Sequence, residues 1–545
     1  MLGEMKKLRS LLIMTSCVLL TGALFPGNLL AETVTEEWVA TYNGPGNRTD
    51  DAFAMALDPS GNVYVTGEST GSGTSLDYAT IKYDLSGNQL WVARYNGPGN
   101  GHDSTSAIAV DALGNVYVTG FCNIGSVDFD YATVKYDPFG TELWVARYDG
   151  PANMHDYAYA MDVDALGNVY VTGRSCSSES NFDYATVKYD TNGNELWVAR
   201  YDPSGYAADE AYAIAVDALG NVYVTGHSWN LSSNLDYATI KYDSSGHELW
   251  VARYNDPENR SDSATAMVLD TSGNVYVTGK SYSSGTIYDY ATLKYDTNGN
   301  QLWVARYDGA ANNDMAYAIA VDISGNVYVT GESCGSGTSY DYATVKYDTN
   351  GSPLWIARYN GPVNGFDSAY AMALDPEGNV YVTGESYGSD TKYDCATLKY
   401  DSSGNELWVT RYDGPTSGSD CALAMALDAL SNVYVTGYRD GYGYSGYITV
   451  KYSQHASPVD LLLQLAQDVI QLNLQNGIEN SLDVKLDAAL QAMEDINESN
   501  DVAAINTLEA FIAAVEAQSD NKIPEADAND LIAAALEIIA ILSSE

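Results

Sequence analysis

Eight aspartates, Asp50, Asp103, Asp156, Asp209, Asp262, Asp314, Asp367 and Asp420, recur at steps of 53 residues, one step being 52. A ring of such carboxylates could hold Ca2+ or another hard cation through oxygen. The competing reading gives each carboxylate backbone or threonine hydrogen bonds and makes it the start of a structural unit. Eight symmetric positions favour architecture, so neither a metal nor a cofactor is expected of them. His102 and His155 each stand one residue before a member of this set. Two histidines beside two carboxylates have the chemistry of a metal site, but no third histidine is near and solvent-facing loops suit them better. Trp229 is the one tryptophan outside the repeated position, read as an exposed aromatic in a long loop and suited to partner contact. His102, His155 and Trp229 are therefore the candidate partner contacts.

A second set, Asp77, Asp130, Asp183, Asp236, Asp289, Asp341 and Asp394, has Gly446 in its eighth place and takes the same structural reading. Simple hairpin register puts Arg94 opposite Tyr78, as a cation–π pair. Asp162 stands where Ala109 stands one repeat earlier, an odd place for a charge within an inner strand. The chain holds no H-E-x-x-H motif, and no catalytic residue is assigned.

These residues are carried by a long internal repeat. The string GNVYVTG stands at Gly61–Gly67, returns unchanged six times, and returns at Ser431–Gly437 with only its first letter altered. Trp38, Trp91, Trp144, Trp197, Trp250, Trp303, Trp355 and Trp408 keep the same step. Within one repeat, SAIAVD, VYVTG, DYATVKYD and ELWVARY read as four strands, the first two and the last two joined by D-x-x-G turns. Four short antiparallel strands at a period near fifty residues imply a β-propeller. The array opens on a fourth-type strand, Trp38–Tyr42, and ends on a third-type strand, Tyr447–Tyr452. The N-terminal strand should thus complete the eighth blade and remove an exposed edge. The heptapeptide is scaffold, because a packing need that recurs eight times explains it and a single ligand site would break the symmetry.

The pattern A-x-A-x-D-x-x-G-N-V-Y-V-T-G, followed by D-x-x-x-x-K-x-D-x-x-G-x-x-x-W, resembles the bacterial SBBP repeats over nearly all of Trp38–Tyr452. That resemblance implies an exported binding or structural module without shared catalytic residues, in a family named for seven blades where eight are counted here. NSLDVKLDAAL and LEAFIAAVEAQ are similar to the FIMAH-type domain at the C-termini of secreted bacterial proteins, which implies a surface-associated module. YDTNGNELW resembles the tryptophan turn of eight-bladed quinoproteins, and a quinone-dependent oxidoreductase is the alternative reading. Against it stand the absence of an adjacent cysteine pair and of any large insertion to cover a quinone.

The ends and the charge set the remaining bounds. Lys6, Lys7 and Arg9 precede an apolar run from Leu11 to Phe25, a leader with cleavage after Ala23 or Ala31. Lipoprotein anchoring through Cys17 is disfavoured, because the apolar run continues past it. The net charge is −46, and of the 26 lysines and arginines eight sit in the K-Y string and seven in R-Y. No basic stripe remains for nucleic acid or anionic lipid. Cys122 and Cys176 occupy matching loops and could pair, although the five cysteines that follow the leader, an odd number without C-x-x-C, signal no disulfide framework. From Pro458 tyrosine vanishes, Gly477 is the one glycine left, and four helices are expected: one ended by Asn476–Ile478, one capped by Asn480 or Ser481, one over DVAAINTLEAFIAAVEAQ, and one with Pro524 in its first turn. The expected organisation is a signal peptide over 1–31, an all-β eight-bladed propeller of four-stranded antiparallel blades over 32–453, and a small helical bundle over 454–545. It would act as a monomeric, secreted or cell-surface binding scaffold for protein or glycan partners, without a transmembrane segment once the leader is removed.

Overall fold

The structure, a computed structural model, describes residues 32–456 and 461–543. It omits 126–127, 179–180, 204, 206–207, 230–233, 285–286, 310–312, 336, 338, 390–391, 417, 441–443, 463–464, 467, 470–471, 473, 475, 494–499 and 520–521. The expected leader, with Cys17, lies outside the described residues, as does much of the first expected helix. Residues Glu36–Ser453 form one compact unit, and Gln454–Glu545 belongs to a second.

The first unit is an eight-bladed β-propeller of four-stranded antiparallel sheets. Blade one runs Asp50–Leu57, Val63–Thr70, Leu76–Tyr83 and Gln89–Tyr95. The first strands of neighbouring blades pack against one another all the way round, which places them about the axis. The last sheet is ordered Glu32–Tyr42, Ser445–Ala456, Val433–Asp440, Asp420–Leu427, so the N-terminal strand completes blade eight.

Each letter of the heptapeptide has a packing task. Gly61 takes φ +82° at the turn, and Ser431, its replacement in blade eight, is held at φ +61°. Asn62 donates its side-chain amide to Asp58 Oδ2 at 2.7 Å, and the Tyr64 hydroxyl donates to the same oxygen at 3.0 Å. Val63 and Val65 are fully buried. The Thr66 hydroxyl meets that of Thr80 at 3.0 Å. Gly67 faces a bulge in the first strand, where Phe53 is the extra residue between Ala52 and Ala54. A Cβ at Gly67 would sit 1.9 Å from the Asp51 carbonyl, so only glycine fits there.

Blade-to-blade contacts repeat just as strictly. Tyr78 donates its hydroxyl to Ala132 O of the next blade at 3.2 Å, and Tyr447 donates to Ala79 O at 3.1 Å, closing blade eight onto blade one. The indole N–H of Trp250 reaches Thr297 O of the next blade at 3.1 Å. Asp162 is explained in the same way, because its two oxygens accept Val163 N and, from the neighbouring blade, Val216 N, both at 2.8 Å.

The expected pairing of Arg94 with Tyr78 does not form. The fourth strand carries a bulge at Leu90, so Lys82 pairs with Trp91 and Arg94 falls opposite Ala79. The cation–π pair that repeats from blade to blade is instead formed by lysines such as Lys82, 4.8 Å from the centre of the Tyr64 ring.

In the second unit, α1 (Asn476–Met493), α2 (Asn500–Glu516) and α3 (Glu525–Leu542) bury a core that includes Leu482, Leu486, Leu508, Phe511, Leu531 and Ile538. Asn476–Ile478 opens α1 and does not end the preceding helix, so Asn480 and Ser481 lie inside α1 and are not its cap. A glycine is tolerated in a first helical turn, where the backbone N–H groups have no intrahelical acceptor. Pro524 is the N-cap of α3 and not part of its first turn. No helix among the described residues is long and apolar enough to cross a membrane.

Candidate binding face

The D-x-x-G turns gather on one face of the propeller. The opposite face carries the connections from second to third strands and from each blade to the next, and the eight aspartates stand there at the head of the first strands. All eight are fully buried. Asp103 shows the arrangement: Oδ2 accepts Gly97 N at 2.6 Å from the segment arriving from the previous blade. Its Oδ1 accepts Asn123 N at 2.7 Å from the end of the second strand. Asp50, Asp156, Asp262, Asp314, Asp367 and Asp420 accept the corresponding pairs. Each such carboxylate locks one blade to the segment that enters it.

Asp209 departs from this pattern. Its Oδ1 accepts Trp229 N at 2.9 Å, but Oδ2 is buried without a donor. The donor position six residues earlier is Pro203, which has no N–H. Burial pushes the Asp209 carboxyl up to about 7, aided by nearby Asp202 and Asp183 and opposed by Ser228 and the Trp229 N–H.

The second aspartate set is held by arginine. Asp77, Asp183, Asp236, Asp289, Asp341 and Asp394 each take an ion pair of 2.7 to 3.0 Å from the arginine of their own fourth strand. The same guanidinium reaches a tyrosine hydroxyl of the preceding blade, as Arg94 does to Tyr42 at 2.9 Å.

Trp229, His102 and His155 lie on the connection face, but in settings other than the expected ones. Trp229 is not in a loop. It ends the second strand Val222–Trp229, half-buried and paired with Leu235, because the hairpin ladder runs past the repeated glycine-containing segment. His102 bonds Glu68 of the preceding blade, Nε2 to Oε2 at 2.9 Å, and packs edge-on to Phe121. That bond to Glu68 raises its pKa above the usual histidine value. His155 lies against Phe129 and Tyr157. Both histidines are half-buried at blade junctions and are not simply solvent-facing. Cys122 and Cys176 are buried and not joined in a disulfide.

The residue immediately after each repeated glycine is not among the candidates that spacing and residue type suggest. It is Glu68, Phe121, Arg174, His227, Lys280, Glu332, Glu385 and Tyr438 in successive blades, all half-buried. Arg174 bonds Glu210 of the next blade at 2.7 Å and lies 4.6 Å from the ring centres of both Tyr157 and Phe182. His227 Nδ1 meets Ser263 Oγ at 3.2 Å, and Glu332 accepts the Ser368 hydroxyl at 2.6 Å. Burial lowers the His227 pKa. Basic side chains thus occupy three successive blades, with acidic ones in the two that follow. The signal is present in the sequence as one column holding six residue types directly after a nearly invariant heptapeptide.

The SBBP family, described as a beta-propeller repeat, matches residues 37–73, 204–231, 303–337 and 357–390. The chain carries SBBP-type repeats. It is 23% identical over 439 residues to an uncharacterised WD repeat-containing protein of Acanthamoeba polyphaga mimivirus, covering 66% of this chain and 31% of that protein. It is 28% identical over 206 residues to the regulatory protein FlaEY of Caulobacter vibrioides, covering 33% of this chain and 20% of that one. The chain therefore matches less than a third of the length of either relative. Solved structures similar to it include Drosophila Plexin A in complex with Semaphorin 1b, at 10% identity and a TM-score of 0.36, covering 77% of this chain and 88% of that one. A gluconolactonase of Xanthomonas campestris gives 14% identity and a TM-score of 0.26, covering 56% and 99%.

Proposed function

We propose that this SBBP-repeat propeller is a non-catalytic binding scaffold whose connection face docks a protein partner at the cell exterior. The observation that carries the reading is the variable ring from Glu68 to Tyr438, set on an otherwise repeated frame. A recurring packing need explains identical residues, whereas eight equivalent positions that carry six residue types are free to follow a partner. The arc of Arg174, His227 and Lys280 suits an acidic segment of that partner, and Arg174 is already positioned by aromatic and carboxylate neighbours. Trp229, His102 and His155 stand on the same face as further contacts. Export is part of the proposal and is supported by Lys6, Lys7 and Arg9 ahead of the apolar run to Phe25. The helical C-terminal unit is proposed to be a FIMAH-type surface module.

A protein and glycan binding array probed with the full chain tests this reading. The expected result is saturable binding to a protein that weakens by about tenfold or more in Arg174→Ala, Lys280→Ala or Trp229→Ala without a change in melting temperature. Binding to glycans alone would replace the protein partner with a glycan. Leu113, Leu166, Leu219, Ile323 and Leu430 are exposed on the D-x-x-G face. Binding that follows their substitution instead would overturn the choice of face.

A further inference from the structure

We infer that Asp130, Asp149 and Asp156, where blade two meets blade three, form a binding site for one Ca2+ ion. One oxygen from each carboxylate lies within 4.8 Å of the others. Ca2+ takes oxygen ligands at about 2.3–2.6 Å, so ligands on opposite sides of one ion stand about 5 Å apart. The donors are all carboxylate oxygens, with no nitrogen or sulfur, which selects a hard cation. Asp149 is exposed and gives access from solvent, while Asp130 and Asp156 are buried.

The decisive feature is the state of Asp130. It is 5% exposed, and its Oδ1 is buried with no hydrogen-bond donor, as in Asp77 and Asp394, but Asp130 alone of the seven takes no arginine on its other oxygen. A buried carboxylate in that condition is costly unless something positive joins it. At the equivalent place in six other blades an arginine does so. Those arginines are steered by a serine: Arg94 donates to Ser69 Oγ at 2.7 Å and Arg200 to Ser175 Oγ at 2.6 Å, each while holding its aspartate. Ser228, Ser281, Ser333 and Ser386 serve Arg253, Arg306, Arg358 and Arg411 in the same way. In blade two the serine is replaced by Cys122. A thiol is a weak acceptor. Arg147 keeps the contact to the tyrosine of the preceding blade, Nε donating to the Tyr95 hydroxyl at 3.0 Å, but makes no ion pair with Asp130.

A built-in comparison lies elsewhere in the ring. Asp289, Asp308 and Asp314 occupy the same three repeat positions, again with their oxygens within 4.8 Å of one another. There Arg306 sits on Asp289 at 3.0 Å, so the positive charge is already supplied by the protein. Exchanging serine for cysteine at position 122 removes the protein's own cation from one acidic triad and opens that triad to a metal.

Calorimetric titration of the chelator-treated full chain with Ca2+ tests the site. The expected result is one saturable site per chain, weakened by about tenfold or more in both Asp130→Asn and Cys122→Ser. Cys122→Ser replaces no ligand; it restores the residue found in six other blades and should place Arg147 on Asp130. Circular dichroism and melting establish that each variant is folded, and Asp289→Asn should leave the titration unchanged. The inference is overturned if millimolar Ca2+ gives no saturable binding, if Cys122→Ser binds as tightly as the parent, or if Mg2+ binds as tightly as Ca2+.

Discussion

At the scale of single residues, the identical letters of this chain are the ones with nowhere to move. Gly226 repeats the situation of Gly67: a Cβ there would stand 1.9 Å from the Glu210 carbonyl. Gly226→Ala should lower stability by about 2 kcal/mol or more, read by urea unfolding. An unchanged transition midpoint would mean that the strand bulge can relax. Asp209 makes the opposite kind of prediction. Its folded pKa of about 7 is above the ordinary aspartate value, so the folded state holds more protons than the unfolded state between roughly pH 4 and pH 7. Its contribution is therefore complete below the unfolded pKa and is lost as pH rises through about 7. Asp209→Asn should gain about 2 kcal/mol over the parent at pH 8 relative to pH 5. A constant difference between the two proteins across that range would show that Asp209 titrates normally. The sequence shows Pro203, but only the fold reveals that its missing N–H was meant for Asp209.

At the scale of strands and blades, much was legible because alternation and turn residues are local. The four strands, their D-x-x-G turns and the strand exchange at blade eight follow from the order of segments. The bulges do not, since nothing in Leu90 or Phe53 as a residue type marks it as the unpaired one. That single shift moved Arg94 from Tyr78 to Asp77 and converted an expected cation–π pair into an ion pair. Asn476–Ile478 misled for a related reason: a glycine next to asparagine suits either end of a helix, and packing decides which. The staples between blades can be tested individually. Tyr237→Phe removes the buried hydroxyl that donates to Ala291 O at 3.1 Å. Tyr447→Phe removes the matching bond across the closure. Each should cost about 1–2 kcal/mol by denaturant unfolding, and equally, because both interfaces are built alike. A silent Tyr447→Phe beside a costly Tyr237→Phe would show that the closing interface is weaker than the rest.

At the scale of the whole molecule, repetition supplies a frame and departures from it supply the places where chemistry differs. The variable ring, the orphaned Asp209 and the triad freed by Cys122 all lie on the connection face. Each was visible as a sequence difference, but none could be weighed until the blades were placed side by side. The frame is a ring, and a ring is only as sound as its seam. That seam is the N-terminal strand, Glu32–Tyr42, which lies beside the third strand of blade eight and carries Trp38, whose indole N–H donates to Leu85 O at 3.0 Å. The most direct test is the thermal unfolding of a chain that begins at Asn43, compared with one that begins at Glu32 and keeps the strand. A closed eight-bladed ring predicts a melting temperature lower by on the order of 10 °C, with exposure of the bare edge in blade eight. An unchanged melting temperature would contradict closure by the N-terminal strand.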